Sequence, residues 1–231
     1  TLAAYISCDL MQYNVLLGIV AAVAVGALCG LVNGLINIYL KVPAMVTTLA
    51  TGYIIFTIVL VLAPGMKTLP DAGFVDFINL HAGGFSMLTV ICILVAVLLA
   101  LLLYKTKYGK QLHAVGQKRV AAGYAGINVK RVVILAFVLG GALCGLSGTL
   151  CGAFNGGAFQ DMGTTYFLPS IAAAFVGGTA ASGGKSNVAG VCLGALMMYL
   201  LTTFLNAASL SVGMQRLIQG AVLVLILVAS V

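Results

Sequence analysis

Glutamate is missing from this chain altogether, and ionisable side chains of any kind are scarce: 11 Lys or Arg and 4 Asp among 231 residues. Ordinary globular domains carry about a quarter charged residues. With 62% hydrophobic residues and a mean hydropathy of +1.20, too few polar side chains exist to cover a water-facing surface. Lipid is therefore the solvent for most of the chain, which excludes a soluble enzyme, a disordered linker and a secreted disulfide scaffold. The net charge of +7 does not point to nucleic acid either. The basic residues sit between long apolar runs, as juxtamembrane anchors do.

The groups that usually carry catalysis or bind metals are just as thin. Cys8, Cys29, Cys92, Cys144, Cys151 and Cys192 show no Cys-x-x-Cys spacing and have no histidine nearby. They read as small packing residues in apolar helices, and no metal site is expected. His81 falls in an outer loop and His113 in a basic one, neither near a carboxylate, so loop packing or solvation outweighs catalysis. No Ser/His/Asp arrangement can be drawn, and the one pair of carboxylates, Asp71 and Asp76, lies in a loop. The expectation is a non-enzymatic chain without a catalytic residue.

Charge-free stretches run over residues 10–40, 42–66, 77–104, 132–160, 162–184, 186–215 and 217–231. Trimmed of polar ends, they predict spans near 14–40, 44–63, 86–104, 132–153, 166–181, 188–207 and 217–231. The fold class is thus all-α, a polytopic helical membrane protein with six to seven spans, because lipid offers backbone amides no outside partner. The segments also lack the two-residue alternation of barrel strands. The chain opens on Thr rather than Met, and its first seven residues read like the tail of an earlier apolar segment. The expectation is one transmembrane domain over 1–231 that lacks N-terminal spans.

Alternate crossings put Lys41, Lys105, Lys107, Lys110, Lys118, Arg119, Lys130, Arg131 and Lys185 on one side, which the positive-inside rule makes cytoplasmic. Lys67, Arg216 and all four aspartates fall outside.

Small residues recur every fourth position at Gly26/Gly30/Gly34 and Gly148/Gly152/Gly156, with pairs at Gly141/Gly145 and Gly190/Gly194. Such ridges let helices approach closely, and packing within one bundle is the plainer reading than a dedicated dimer motif. The hexapeptide Gly-Ala-Leu-Cys-Gly-Leu occurs at 26–31 and at 141–146, in spans of opposite direction, as an inverted repeat requires. Chance accounts for it equally well in so Gly-rich a chain.

The segment 177–186 ends in Gly-Lys-Ser but misses the phosphate-loop spacing by one residue, since Thr179 stands where the first Gly belongs. It reads instead as a tight turn built on Gly177, Gly178, Gly183 and Gly184, and Pro169 suggests that the crossing before it is irregular. No charge falls within the trimmed spans, which disfavours an ion-driven pump. Neutral polar residues do occur there: Asn33, Asn37, Thr47, Thr48 and Thr51 are candidates to line a path for an uncharged polar solute such as a sugar. Helix-to-helix hydrogen bonding is the competing role for each. Asn155, Thr202, Thr203 and Asn206 are of the same kind.

Residues 105–131 form the longest polar connection, with seven cations and no acid. Val120, Tyr124 and Ile127 stand at i, i+4 and i+7, which predicts one face of a short amphipathic helix. That helix could dock in a partner's groove or lie on anionic lipid.

In this connection Tyr108-Gly109-Lys110-Gln111-Leu112-His113-Ala114-Val115-Gly116, then Ala121-Ala122 and Gly126-Ile127-Asn128-Val129-Lys130, resemble the cytoplasmic signature of ribose-type permeases of bacterial ATP-binding-cassette importers. Gly30-Leu-Val-Asn-Gly34, the stretch 41–49, Gly163-Thr-Thr-Tyr166, Ile171-Ala-Ala173 and the glycine pairs at 177–178 and 183–184 follow in the matching order. The resemblance covers nearly the whole chain. It implies a multi-pass permease of the bacterial cytoplasmic (inner) membrane that pairs with a second permease subunit as a homodimer or heterodimer. It also implies a periplasmic or lipoprotein substrate-binding protein and a separate ATPase that carries the ATP and magnesium, with no cofactor in this chain. In such importers a short permease helix sits in the ATPase groove, a role that falls here on Val120, Ala121, Ala122, Tyr124, Gly126, Ile127 and Asn128. Two departures stand out. Gln117-Lys118-Arg119 replaces an Asn-Glu pair, removing an acidic partner for the ATPase, and Phe167-Leu168 replaces an acidic residue after Tyr166. A passive solute channel, a membrane scaffold, and the related amino-acid and nucleoside permeases are the alternatives.

Overall fold

The computed structural model describes residues 1–62, 68–82, 85–179, 183–184 and 186–229; Lys67 and Lys185, both used above to orient the chain, lie outside them. Among the described residues the regular structure is helical apart from one hairpin of two-residue strands. In order come α1 (Leu2–Met11), α2 (Val15–Tyr39), α3 (Ala44–Leu62), α4 (Ala72–Asn79), β1 (His81–Ala82) and β2 (Phe85–Ser86). Then follow α5 (Met87–Lys105), α6 (Lys107–Gln117), α7 (Arg119–Tyr124), α8 (Val129–Phe154), α9 (Thr164–Val176), α10 (Val188–Ala207) and α11 (Val212–Ala229). Among the described residues five helices, α2, α3, α5, α8 and α10, are long and apolar enough to cross a membrane; α1, α9 and α11 are shorter apolar helices. Their surfaces agree with a lipid solvent. No residue of α5 is buried, and Leu94, Val97, Leu98 and Leu101 stand exposed along it.

Side-chain caps mark where helices begin. Asn14, Asp71, Thr106, Asn128 and Asn187 each accept a backbone N–H from the first turn of the following helix, at 3.0 to 3.2 Å. These are the orphan donors that a helix start leaves unpaired.

The described chain forms two compact units, the first Thr1–Ile93 with Asn128–Gly163, the second Leu94–Ile127 with Thr164–Val231. In the first, α2 and α8 run antiparallel along a seam of small residues. A Cβ on Gly26 would fall on the Gly141 carbonyl and one on Gly141 on the Gly26 carbonyl, while Gly30 faces Phe137 and Gly145 faces Ala22. The two Gly-Ala-Leu-Cys-Gly-Leu hexapeptides therefore pack on each other. α1 lies on the same pair, with Ala4, Tyr5 and Cys8 gathered against Val59, Ala158 and Met162. The expected Gly148/Gly152/Gly156 ridge is shorter than its spacing suggested. α8 ends at Phe154, and Gly156 sits beyond it at φ 63°, in the turn rather than on the helix face.

In the second unit α9 packs on α10 and α11, with Ala172, Ala173 and Met198 at its buried centre beside Leu201 and Leu223. Here too glycine sets the distance: a Cβ on Gly177 would lie 2.5 Å from Val191 Cα. α9 has only 13 residues and contains Pro169, a short helix where the sequence suggested an irregular crossing. Gln219, itself buried, donates to Thr202 Oγ1 at 3.2 Å and joins α11 to α10.

Candidate coupling segment and polar cluster

The basic connection holds two helices where the sequence suggested one. α6 is capped by Thr106, whose hydroxyl also donates to the Leu102 carbonyl. Gly109 allows the sharp turn out of α5, because a Cβ there would lie 2.5 Å from the Leu103 carbonyl carbon. Lys118 is extended and starts α7, only six residues long. At its end the Ile127 N–H donates to the Ala122 carbonyl and the Gly126 N–H to that of Gly123, both at 3.1 Å, with Gly126 at φ 79°. This paired pattern is the Schellman cap, and its left-handed residue is strained for any side chain but glycine.

That cap corrects the expectation of one face running from Val120 through Tyr124 to Ile127. The helix stops at Tyr124, so Ile127 lies past the turn, and Asn128 belongs to the start of α8, where its side chain accepts the Arg131 N–H. The residues of the segment divide accordingly. Ala122 is buried at 4% exposure, whereas Val120 and Tyr124 stand out at 64% and 90%. Ala121 and Gly126 are exposed, and Ile127 is half-buried. On α6 burial raises the pKa of the Tyr108 phenol.

The five candidate path residues all lie in the first unit, yet they do not form one lining. Asn33 and Thr51 meet across α2 and α3, with the Thr51 hydroxyl 2.7 Å from Asn33 Oδ1 and 2.9 Å from the Thr47 carbonyl. One hydroxyl proton serves one of these acceptors at a time. Asn37 is buried and donates from Nδ2 to the Val42 carbonyl at 2.7 Å, pinning the turn in which Lys41 takes φ 54°. Thr47 is buried and donates to the Pro43 carbonyl, and Thr48 is exposed and bonds back along its own helix. Asn37 and Thr47 therefore shape the α2–α3 corner, and only Asn33 and Thr51 form a partly accessible polar pair. At the same end Lys130 Nζ lies 5.8 Å from the centre of the Tyr39 ring, a cation–π contact between α8 and α2.

The four glycines of the proposed turn take different roles. Gly177 is the close-packing residue against α10. Gly178, at φ 79°, closes α9 with the same Schellman pattern, donating to the Phe175 carbonyl while Thr179 donates to that of Ala174. Gly183 and Gly184 take φ of 85° and 81° and lie against α6 around Gly116. Residues 180–182 and 185 of this segment lie outside the described residues. His113, read from sequence as solvated or loop-packed, places Nδ1 3.3 Å from the Gly184 carbonyl, a partner 71 positions away that no local pattern signals. Among the described residues no group of three His, Cys, Asp or Glu comes together to hold a metal.

The sequence model for the branched-chain amino acid transport system permease component matches residues 1–227. The chain belongs to that permease family. Among its relatives are the galactose/methyl galactoside import permease proteins MglC of Haemophilus influenzae and of Escherichia coli K12. The first is 31% identical over 215 residues, covering 90% of this chain and 64% of the relative. The second is 31% identical over 224 residues, covering 94% and 67%. The autoinducer 2 import system permease protein LsrD of Salmonella typhimurium is 28% identical over 220 residues, covering 92% and 66%. This permease-family chain thus spans about two thirds of the length of the curated relatives it matches. No solved structure matches it. Its five long apolar helices make it a multi-pass membrane protein.

Proposed function

We propose that this chain is the membrane permease subunit of a bacterial ATP-binding-cassette importer and moves a sugar or similar small uncharged polar solute across the cytoplasmic membrane. The observation that carries this reading is the family match over residues 1–227. The solute class draws support from relatives named for galactose and autoinducer 2 import, and from the five long helices, whose only charged side chains are Lys105, Lys130 and Arg131 in terminal turns. On this reading α9 and α11 add to the five long helices, for six to seven crossings. A substrate-binding protein delivers the solute, a second permease subunit completes the pore, and a separate ATPase supplies the drive together with its ATP and magnesium.

The working part toward the ATPase is α7. Val120 and Tyr124 present exposed apolar surface to an ATPase groove, and the Gly126 cap turns the chain directly into α8 through Asn128. A push on α7 reaches a membrane helix through only four intervening residues, 125–128, held by backbone hydrogen bonds and the Asn128 cap. Pore switching then requires that the ATPase contact the two pore states differently, since equal contacts shift no equilibrium. Asn33 and Thr51 are the pair proposed to face the solute.

Expression with the cognate ATPase and binding protein tests the proposal. The permease copurifies with the ATPase, and in vesicles uptake requires both ATP and binding protein. Solute entry that continues without ATP would instead identify a passive channel.

A further inference from the structure

We propose that His113 is a positioning residue that fastens α6 to the turn at Gly183 and Gly184, so that movement of the cytoplasmic segment is carried into α10. This deepens the permease reading above and rests on it.

A carbonyl only accepts hydrogen bonds, so the His113 nitrogen 3.3 Å from the Gly184 oxygen carries the proton. The contact is part of a close backbone approach. A Cβ on Gly116 would lie 2.7 Å from Gly184 N, and one on Gly184 would lie 2.6 Å from Gln117 Cγ. From the other side the Tyr104 hydroxyl donates to the Ser186 carbonyl and accepts the Val188 N–H, both at 3.2 Å. The chain entering α10 is therefore held by the end of α5 and by α6 together.

Among the eleven residues of α6 only Gly109 and Val115 are buried, and the helix carries Lys107, Lys110 and His113. With modest apolar surface covered, directional contacts such as this one contribute to its position. α7 follows after Lys118 alone, so a load on the exposed Tyr124 reaches α6 over a few residues, passes through His113 and Gly116 to the turn, and so reaches α10. α10 then moves α9 with it, because Gly177 and Val191 leave no room for slip.

The test compares His113→Asn, whose amide N–H reproduces the donor near Nδ1, with His113→Leu, which removes it, in the full transporter in vesicles with its ATPase and binding protein. Both variants retain the ATPase and hydrolyse ATP. His113→Leu loses about fivefold in solute moved per ATP, the factor expected for one net hydrogen bond. Its half-saturating solute concentration stays unchanged, and His113→Asn keeps most of the wild-type ratio. Amide exchange over residues 186–190, measured on the same samples, rises several-fold in the Leu variant alone. Normal coupling in His113→Leu, equal failure of both variants, or exchange unchanged by Leu each overturns the proposal. Uptake by the wild type that ignores ATP rejects the permease reading, and the relay with it, whereas the exchange measurement tests the fastening whatever the chain transports.

Discussion

The α2–α8 seam yields the most quantitative prediction. A methyl at Gly26 or Gly141 falls on backbone of the facing helix, with a Cβ on Gly141 3.0 Å from the Gly26 carbonyl carbon and 3.0 Å from Gly30 Cα. Backbone cannot swing aside as a flexible side chain can, so the helices must part by roughly 1 Å. A gap of about that size forfeits a quarter to a half of each contact, worth about 0.1–0.2 kcal/mol when optimal. For about fifty contacts, the number one buried leucine makes, the loss is roughly 1–5 kcal/mol, centred on about 3. Alanine's better helix propensity returns about 0.5–1 kcal/mol. Gly26→Ala and Gly141→Ala should therefore each destabilise by about 2 kcal/mol, within the usual range for overpacking. The two are not independent. Once one methyl has opened the seam the other finds space, so the double variant should cost little more than either single, with a coupling of about 1–2 kcal/mol. Gly140→Ala is the control: its Cβ meets nothing within 4 Å, and it should hold or slightly gain stability. Thermal unfolding of the full chain in detergent, followed by loss of the monodisperse peak, reads all four. Wild-type stability in both single variants, or strict additivity in the double, would refute a seam fixed by backbone contact.

Four further outcomes follow from the same geometry. Gly126→Ala puts a side chain at φ 79°, a strain of about 1–2 kcal/mol, and should weaken ATPase copurification, with Gly126→Asn milder. Tyr124→Asp, at a position 90% exposed, should change stability by less than about 0.5 kcal/mol yet abolish ATP-driven uptake; uptake at normal rates in vesicles contradicts the coupling assignment. Asn37→Leu leaves the Val42 carbonyl without its donor and should cost about 1–3 kcal/mol in the same unfolding assay. Membrane-impermeant labels should reach single cysteines placed at 107 or 118 from the cytoplasmic face alone, and labelling from outside would reverse the topology.

Much of the helix map was legible beforehand because lipid punishes charge and unpaired backbone wherever they stand. The uncharged run around 14–40 becomes α2 at Val15–Tyr39, and 188–207 becomes α10 with both ends as expected. The short segment near 166 was recognisable from Pro169 and the glycines after it. The one misreading has a local cause. Periodicity of Val120, Tyr124 and Ile127 suggested one face, but Gly126 offers a left-handed exit that ends the helix before the third of them. Polarity also made Asn37 and Thr47 path candidates, and it does not say whether a side chain meets solute or, as these do in the structure, a neighbouring carbonyl.

Sequence alone determined that this protein lives in lipid, where its long apolar helices lie and that it belongs to a permease family, since each depends on composition and order along the chain. Which glycine faces which, that the two hexapeptides pack together, and that His113 finds the Gly184 carbonyl were decided only by tertiary structure. In a chain so rich in Gly, Ala and Leu many helix faces are nearly equivalent by composition, and only three-dimensional fit selects among them.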